Sequence, residues 1–421
     1  MHSGAVVVLG SATPSVESYT NAVQGKYALL ELPERIDDAQ LPEVRIVDMA
    51  KERMVKLDIH RQTRKAEFKT DPIKAKLQKQ KFEFGSVSDL LHEKIENRLR
   101  KSEGVILLQN RRGFSPFVEC PECGHVEMCD HCNVSLTYHA TKDHLRCHYC
   151  GAVKPVPIFC PKCQSLDIQH RGFGTQRVEE EIQKLFPDAK LLRMDLDTTT
   201  AKGAHDTLLK KFGEGEADIL LGTQMVAKGL DFSRVTLVGV ISADTQMMLP
   251  DFRSAERTFQ LLTQVAGRAG RSALAGEVVI QTYQAEHPVL RHVQLHDFRG
   301  FYDEELSWRK ELRYPPFSRL ILVEFKGGNE QEVANHARMF SGFLKKRTAA
   351  FEILGPAAAA ITKIKNMYRW HVVIKSLKTN DPSGKRTHEA LNEAVVAYKK
   401  TPIGKSKPVK MIIDVDPVGT M

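Results

Sequence analysis

The sequence predicts an α/β protein whose parallel sheet is interrupted by a cysteine-rich module and followed by a small α+β domain. Three observations carry this. Continuous apolar runs alternate with helical patterns between residues 87 and 283, as in strands buried on both faces of a parallel sheet. All eight cysteines fall between Cys120 and Cys163, inside that stretch. Beyond residue 284 the order changes to βαββαβ.

The 421 residues suffice for several domains, and 42% hydrophobic with 27% charged residues is ordinary for a globular chain. No apolar run is long enough for a membrane span. The opening MHSGAVVVLGSATPS has no basic n-region, and its apolar run is only Ala5 to Leu9, so a signal peptide is rejected. The net charge of +9 fits either a solvated basic surface or a phosphate-bearing partner.

Gly104–Gln109 (GVILLQ) reads as a buried strand. A helix near Gln176–Leu185 and a strand near Ala189–Met194 follow the cysteines. Asp218–Gly222, Val235–Ser242 and Glu277–Thr282 are further strands, with helices at Thr207–Phe212 and Ser254–Val265 between them. Residues 51–81 are rich in Lys and Arg and read as a solvated, partly helical or disordered linker. The last domain reads as strand Arg319–Phe325, helix Glu330–Arg347, strands near Phe351–Leu354 and Trp370–Lys375, helix Thr387–Lys399 and strand Val409–Val415. Tyr368, Arg369 and Trp370 form a cluster able to stack on single-stranded DNA, although a packed Trp is the commoner outcome. The boundaries expected are 1–50, 51–86, 87–118, 119–165, 166–283 and 284–421.

The cysteines form four C-x-x-C knuckles: Cys120/Cys123, Cys129/Cys132, Cys147/Cys150 and Cys160/Cys163. Each offers two thiolates on one tight turn, half of a tetrahedral zinc shell. Disulfides are disfavoured in a chain with no export signal and no cysteine elsewhere. Two structural Zn2+ ions are therefore expected. The gap from Cys132 to Cys147 lets one knuckle fold back on another, whereas Cys123 to Cys129 is very short. Spacing thus suggests a nested arrangement, Cys120/Cys123/Cys160/Cys163 around Cys129/Cys132/Cys147/Cys150, with tandem pairing as the alternative. His125, His131, His139, His144 and His148 crowd the segment, but eight thiolates already fill two shells, so these read as surface residues or partner contacts.

Four further motifs follow strands or helices in a set order. Ser11-Ala12-Thr13 follows the strand-like Ala5–Leu9, and Asn110-Arg111-Arg112-Gly113 follows Gly104–Gln109. Gly222-Thr223-Gln224 leads through Lys228 and Gly229 to Asp231. Gln264-Val-Ala-Gly-Arg268-Ala-Gly-Arg271 ends a helix, and its two arginines suit stabilisation of charge on a transferring γ-phosphate. A basic helix end complementing the helix dipole is the plainer explanation. The order SAT, NRRG, GTQM…KGLDF, QVAGRAGR is that of the later motifs of superfamily 2 helicases.

On these residues the chain resembles the C-terminal part of the primosomal replication-restart helicase family. LGSATPSVES at 9–18, LLQNRRGF at 107–114, the four knuckles, RGFGTQRVEEE at 171–181, LLGTQMVAKGLDF at 220–232, LPDFRSAER at 249–257, QVAGRAGR at 264–271 and ELRYPPFSRL at 311–320 carry the likeness. The resemblance implies a RecA-like helicase lobe 2 and ATP-driven 3′→5′ unwinding at abandoned forks, followed by reloading of the replicative helicase. It also matches the nested zinc pairing. By resemblance Arg268 and Arg271 face the nucleotide, supported by Gln264, Gly229 and Asp231. Thr223, Gln224, Lys228, Arg111 and Arg112 belong to the DNA side, and Thr13 links hydrolysis to unwinding. Implied partners are forked and single-stranded DNA, single-stranded-DNA-binding protein, and primosome and helicase-loading proteins. The protein is expected to be a monomer, cytoplasmic and nucleoid-associated, with ATP and Mg2+ used by the complete protein.

A motor also needs a phosphate cradle and a magnesium-binding acid. Gly404-Lys405-Ser406 ends like a Walker A loop, but position 399 is Lys where Gly is required. Gly172-Phe173-Gly174-Thr175 lacks the lysine, and Asp303-Glu304-Glu305 comes after the arginine motif. The chain therefore reads as lacking most of the first motor lobe. The competing reading is a non-catalytic zinc-dependent DNA-binding scaffold derived from a helicase.

Overall fold

The computed structural model describes residues 5–32, 41–70, 85–109, 117–120, 123–132, 134–139, 143–166, 169–171, 175–194, 204–223, 232–269, 276–346, 351–405 and 408–420. Contacts divide the chain into two units. One is Arg35–Cys147 with Ala152–Leu295; the other is Met1–Glu34, His148–Gly151 and His296–Met421.

The strands run in chain order as β1 (Glu43–Asp48), β2 (Gly104–Gln109), β3 (Phe117–Glu119), β4 (Thr137–His139), β5 (His144–Arg146), β6 (Val153–Pro155), β7 (Gln169–Arg171) and β8 (Leu191–Met194). They continue as β9 (Ile219–Gly222), β10 (Val235–Ser242), β11 (Glu277–Thr282), β12 (Ser318–Gly327), β13 (Phe351–Ile364), β14 (Met367–Leu377) and β15 (Val409–Val415).

In the first unit six strands form one parallel sheet in the order β1-β11-β10-β2-β9-β8. All six residues of β2 are buried, because helices cover both faces of the sheet. On one face Leu91 and Ile95 of the helix Asp89–Arg100 and Val178 and Ile182 of the helix Thr175–Leu185 pack on Val105, Leu107, Ile219, Leu237 and Val279. Gly239 in β10 leaves the room this needs: a Cβ there would sit 2.7 Å from Leu107 and 2.8 Å from Leu91. Buried Gln281 of β11 donates to the Ser86 and Ile241 carbonyls (2.7 and 2.9 Å) and accepts from the Ser88 amide (2.7 Å). Ser88 in turn caps the helix by accepting from the Leu91 amide.

One feature departs from the sequence reading, and a second agrees with its partly helical alternative. The segment EVRIVD, placed by sequence with the N-terminal region, is the edge strand β1 and pairs in parallel with β11. Residues Met49–Thr70, at the start of the expected linker, are helical. Residues 71–81 of that linker lie outside the described set.

The second unit carries β12–β15 as an antiparallel sheet in the order β13-β14-β12-β15, the arrangement expected of a βαββαβ chain. Helices Glu330–Lys345 and Lys385–Lys400 pack Val333, Ala337, Phe340, Leu391, Ala394 and Tyr398 on Val323, Phe325, Val372 and Ile374. The β13–β14 hairpin is longer than the sequence suggests. It closes on Lys365 and Asn366, both left-handed (φ 47° and 62°), which suits the twist of a two-residue turn. Trp370 joins the core rather than a DNA-stacking surface, and Arg369 pairs with Glu324 at 2.6 Å. In the same unit the helix Val16–Val23 meets the helix Phe298–Glu311. Thr20 and Tyr302 share a hydrogen bond of 3.0 Å, and buried Arg309 lies between Glu305 (2.8 Å) and Glu17 (3.4 Å). Ala5–Leu9 forms no strand, and Val6, Val7, Val8 and Leu9 are exposed.

Two outcomes follow. Leu107→Ala should destabilise the first unit by about 2–5 kcal/mol, read from denaturant unfolding. In the second unit, hydrogen bonds from His371 and Arg369 to Glu324 hold its carboxyl down at about 2, against an ordinary 4.5. The stabilisation is complete above the ordinary value and is lost as pH falls toward 2. Wild type should therefore lose more stability than Glu324→Gln between pH 5 and 2; parallel pH profiles would contradict this.

Candidate metal centre and the helicase motifs

Each knuckle is a turn closed by its own backbone. The amide of the leading cysteine donates to the carbonyl five residues on: Cys120 to His125, Cys129 to Val134, Cys147 to Ala152 and Cys160 to Ser165, at 2.8–2.9 Å. Such a turn needs a left-handed residue four positions after that cysteine. Gly124 (φ 70°), Gly151 (φ 80°) and Gln164 (φ 63°) supply it in three of the knuckles. The geometry aims two sulfurs of each knuckle the same way.

The sulfurs gather into two groups, Cys120/Cys123/Cys160/Cys163 and Cys129/Cys132/Cys147/Cys150, each with all four atoms within 4.8 Å of one another. This is the nested arrangement. Sulfurs of Cys120 and Cys163, and of Cys123 and Cys160, stand 3.5 Å apart. That is far beyond a disulfide bond and close to the ~3.8 Å edge of a tetrahedron built on Zn–S bonds of about 2.3 Å. The charges point the same way. Burial pushes the Cys123 thiol up and neighbouring Cys129 and Cys147 push the Cys132 thiol up, whereas at Cys160 burial is outweighed by the Cys163 and Lys162 amides, which draw the thiol down. Four crowded thiols resist becoming four thiolates until a dication neutralises them. The donor sets fit Zn2+, and four thiolates leave no open position for a reacting water, so the role is structural.

Around the sites are two small antiparallel sheets, β4-β5-β6 and β3-β7. The pair β3-β7 joins Phe117 to Arg171 and forms the neck where the module leaves and re-enters the larger fold. His148 differs from expectation. It is buried and lies 2.5 Å from the Ala358 carbonyl, so it is no surface residue. His125 contacts Glu127 at 3.1 Å, and the His139 and His144 rings stack at 5.3 Å.

Two of the helicase-like motifs, NRRG and GTQM, directly follow strands β2 and β9 of the parallel sheet. Adjacent strands β9, β2 and β10 end at its carboxyl edge, with Leu108 opposite Gly222 and Gln109 opposite Ser242. Buried Thr223 directly follows β9. Arg111 and Arg112 follow β2 but lie outside the described residues, as do Gln224, Lys228, Gly229, Asp231 and Arg271. Ligands of open parallel sheets bind at this edge. Gln264 sits in the last turn of the helix Ser254–Ala266, which ends at Gly267. Arg268 thus belongs to the turn after the helix, its amide bonded to the Val265 carbonyl at 3.0 Å. Their spacing of three would put Arg268 and Arg271 on one helical face only if the helix continued, but it ends at Gly267 before them. Thr13 donates its amide to Ser11 Oγ at 3.1 Å within its own motif.

Sequence reasoning missed Asp244 and Asp251, both buried. Asp244 accepts from Thr282 Oγ1 (2.7 Å) and the Tyr283 amide (3.1 Å), although burial still pushes its carboxyl up. The available signal was an acid placed directly after the apolar run of β10.

A parallel sheet with motif loops on its carboxyl edge and an inserted cysteine-rich module defines the C-terminal lobe of a helicase. Three family models match: Helicase conserved C-terminal domain at residues 145–273, PriA DNA helicase Cys-rich region (CRR) domain at 129–155 and Primosomal protein N C-terminal domain at 310–418. The chain belongs to the replication restart protein PriA family. It is 45% identical to replication restart protein PriA of Bacillus subtilis over 417 residues, covering 99% of this chain and 48% of that one. The protein of the same name from Chlamydia pneumoniae is 39% identical over 419 residues, with 99% and 51% covered. The chain thus spans about half the length of the curated relatives it matches. Among solved structures, the Pyrococcus furiosus Hef helicase domain is 18% identical with a TM-score of 0.23, covering 47% of this chain and 26% of that chain.

Purified protein should carry two zinc ions per chain by elemental analysis. Cys120→Ser should reduce this to one and expose Cys123, Cys160 and Cys163 to alkylation while sparing Cys129, Cys132, Cys147 and Cys150. Alkylation of Cys129 and Cys132 instead would indicate tandem pairing.

Proposed function

We propose that this chain forms the zinc-bearing half of an ATP-dependent 3′→5′ DNA helicase that recognises and remodels stalled replication forks. It then promotes primosome assembly and reloading of the replicative helicase. The observation that carries this reading is the pairing of adjacent parallel strands β2 and β9, which end side by side with the NRRG and GTQM segments directly after them. On this reading Arg268 and Arg271, with Gln264, stabilise charge on the γ-phosphate of ATP, as guanidinium groups do in other phosphoryl-transfer sites. Gly229 and Asp231 support the nucleotide, with Mg2+ held by groups outside these motifs. Thr223, Gln224, Lys228, Arg111 and Arg112 hold the DNA strand. The zinc module is a rigid platform at the fork. Single-stranded-DNA-binding protein and helicase-loading proteins are the partners, and the protein acts as a monomer at the cytoplasmic nucleoid.

One observation favours a narrower role for the chain by itself. No segment combines a complete phosphate loop with a downstream magnesium-binding acid. An arginine pair without a phosphate cradle has no bound nucleotide to act on. The isolated chain should therefore bind zinc and forked DNA, with affinity falling steeply as salt rises, and show no DNA-stimulated ATP turnover. Coupled ATPase and fork-binding assays on one preparation decide this; robust turnover would refute it.

A further inference from the structure

Among the described residues, two contacts of the zinc module with the helicase lobe lead to the same buried acid. On the first side, Gly124 at the left-handed corner of the Cys120/Cys123 knuckle lies flat against residue 283. A Cβ at Gly124 would collide with the Tyr283 carbonyl oxygen. The Gln284 side-chain amide also donates to the Gly124 carbonyl. On the second side, buried Ser135 follows the Cys129/Cys132 knuckle, and its hydroxyl donates to the Met248 carbonyl at 2.6 Å.

Asp244 lies between these contacts. Its carboxylate holds the Tyr283 amide and the Thr282 hydroxyl on one side. On the other it begins the short helix Asp244–Met247, and the Met248 amide bonds back to its carbonyl at 2.8 Å. Three residues on, fully buried Asp251 lies just before the next helix. It accepts from the Arg253 amide at 2.9 Å and from Arg257 at 3.3 Å, and its carbonyl receives the Ser254 amide. That helix, Ser254–Ala266, carries Gln264 and leads directly to Arg268.

We propose that the zinc module is a strut that sets the position of the helix Ser254–Ala266, with Gly124, Ser135 and Asp244 as positioning residues. Each knuckle is stiff only while its cysteines share a metal. The Ser135–Met248 hydrogen bond is buried, so its loss leaves a buried carbonyl unsatisfied, and Gly124 packs closely on the Tyr283 backbone. The strut fixes the segment 244–251 from both knuckles at once, and the helix inherits that position. The link to nucleotide chemistry through Gln264 and Arg268 rests on the helicase reading; the strut itself does not.

Hydrogen exchange of the whole chain, read by mass spectrometry, tests the strut without ATP. Ser135→Ala should keep two zinc ions. Its amide exchange across 244–266 should rise about five- to tenfold, the scale expected for one lost buried hydrogen bond, while 318–377 stays unchanged. Ser135→Thr, which keeps the hydroxyl, should restore protection. Cys129→Ser, which breaks the inner site, should reproduce the Ser135→Ala pattern more strongly. If Ser135→Ala loses metal, Gln284→Ala takes its place and should loosen 244–251 with both zinc ions retained. Unchanged exchange across 244–266 in a zinc-loaded variant, or in Cys129→Ser, would overturn the proposal. A negative result here leaves the ATPase and fork-binding tests intact, so the two readings fail separately.

Discussion

The tetrahedral demand of two groups of four thiolates is the constraint on which the fold depends. The central strand β2 pairs with β9 and β10, yet the chain makes the whole cysteine module between β2 and those partners. An insertion of that length is tolerable only if its ends stay together and its interior folds alone. The short pair β3-β7 holds the ends together. The interior has strands of only three residues and too little apolar surface to stand unaided, so the cross-links must come from metal. Nesting serves the same purpose. The outer site joins the first knuckle to the last and clamps the module near its neck, while the inner site holds its far end.

With the ends clamped, the parallel sheet forms almost as it would without the insertion. Leu91, Ile95 and Leu107 interlock over Gly239, and buried Gln281 ties β10, β11 and the start of the helix Asp89–Arg100 into one piece. That rigidity places the ends of β2, β9 and β10 side by side. The arrangement yields a single edge where loops distant in sequence start together.

Much of this was legible in the sequence because its signals are local. Four knuckles of identical spacing announce a metal, and the apolar runs of β2, β9, β10 and β11 announce buried parallel strands. The βαββαβ order of the last domain was equally plain. What escaped depends on partners remote in sequence. EVRIVD alternates charged and apolar residues because β1 is an edge strand with one covered side, so nothing in the segment names β11 as its neighbour. The helix before Arg268 stops at Gly267, which a motif-centred reading overlooks. Ala5–Leu9 has the composition of a strand yet forms none, and its valines are exposed. Asp244 is legible only once β10 and β11 are known to lie side by side, since its value lies in the donors of residues 282 and 283.

The central claim is that two interleaved four-thiolate metal sites organise the lobe. Replacing zinc by cadmium-113 and recording cadmium–proton correlations tests it directly. The account predicts two cadmium resonances, both in the all-sulfur range. One should couple to the β-protons of Cys120, Cys123, Cys160 and Cys163, the other to those of Cys129, Cys132, Cys147 and Cys150. A cadmium coupled to Cys120, Cys123, Cys129 and Cys132 together, or a site with fewer than four thiolates, would contradict it.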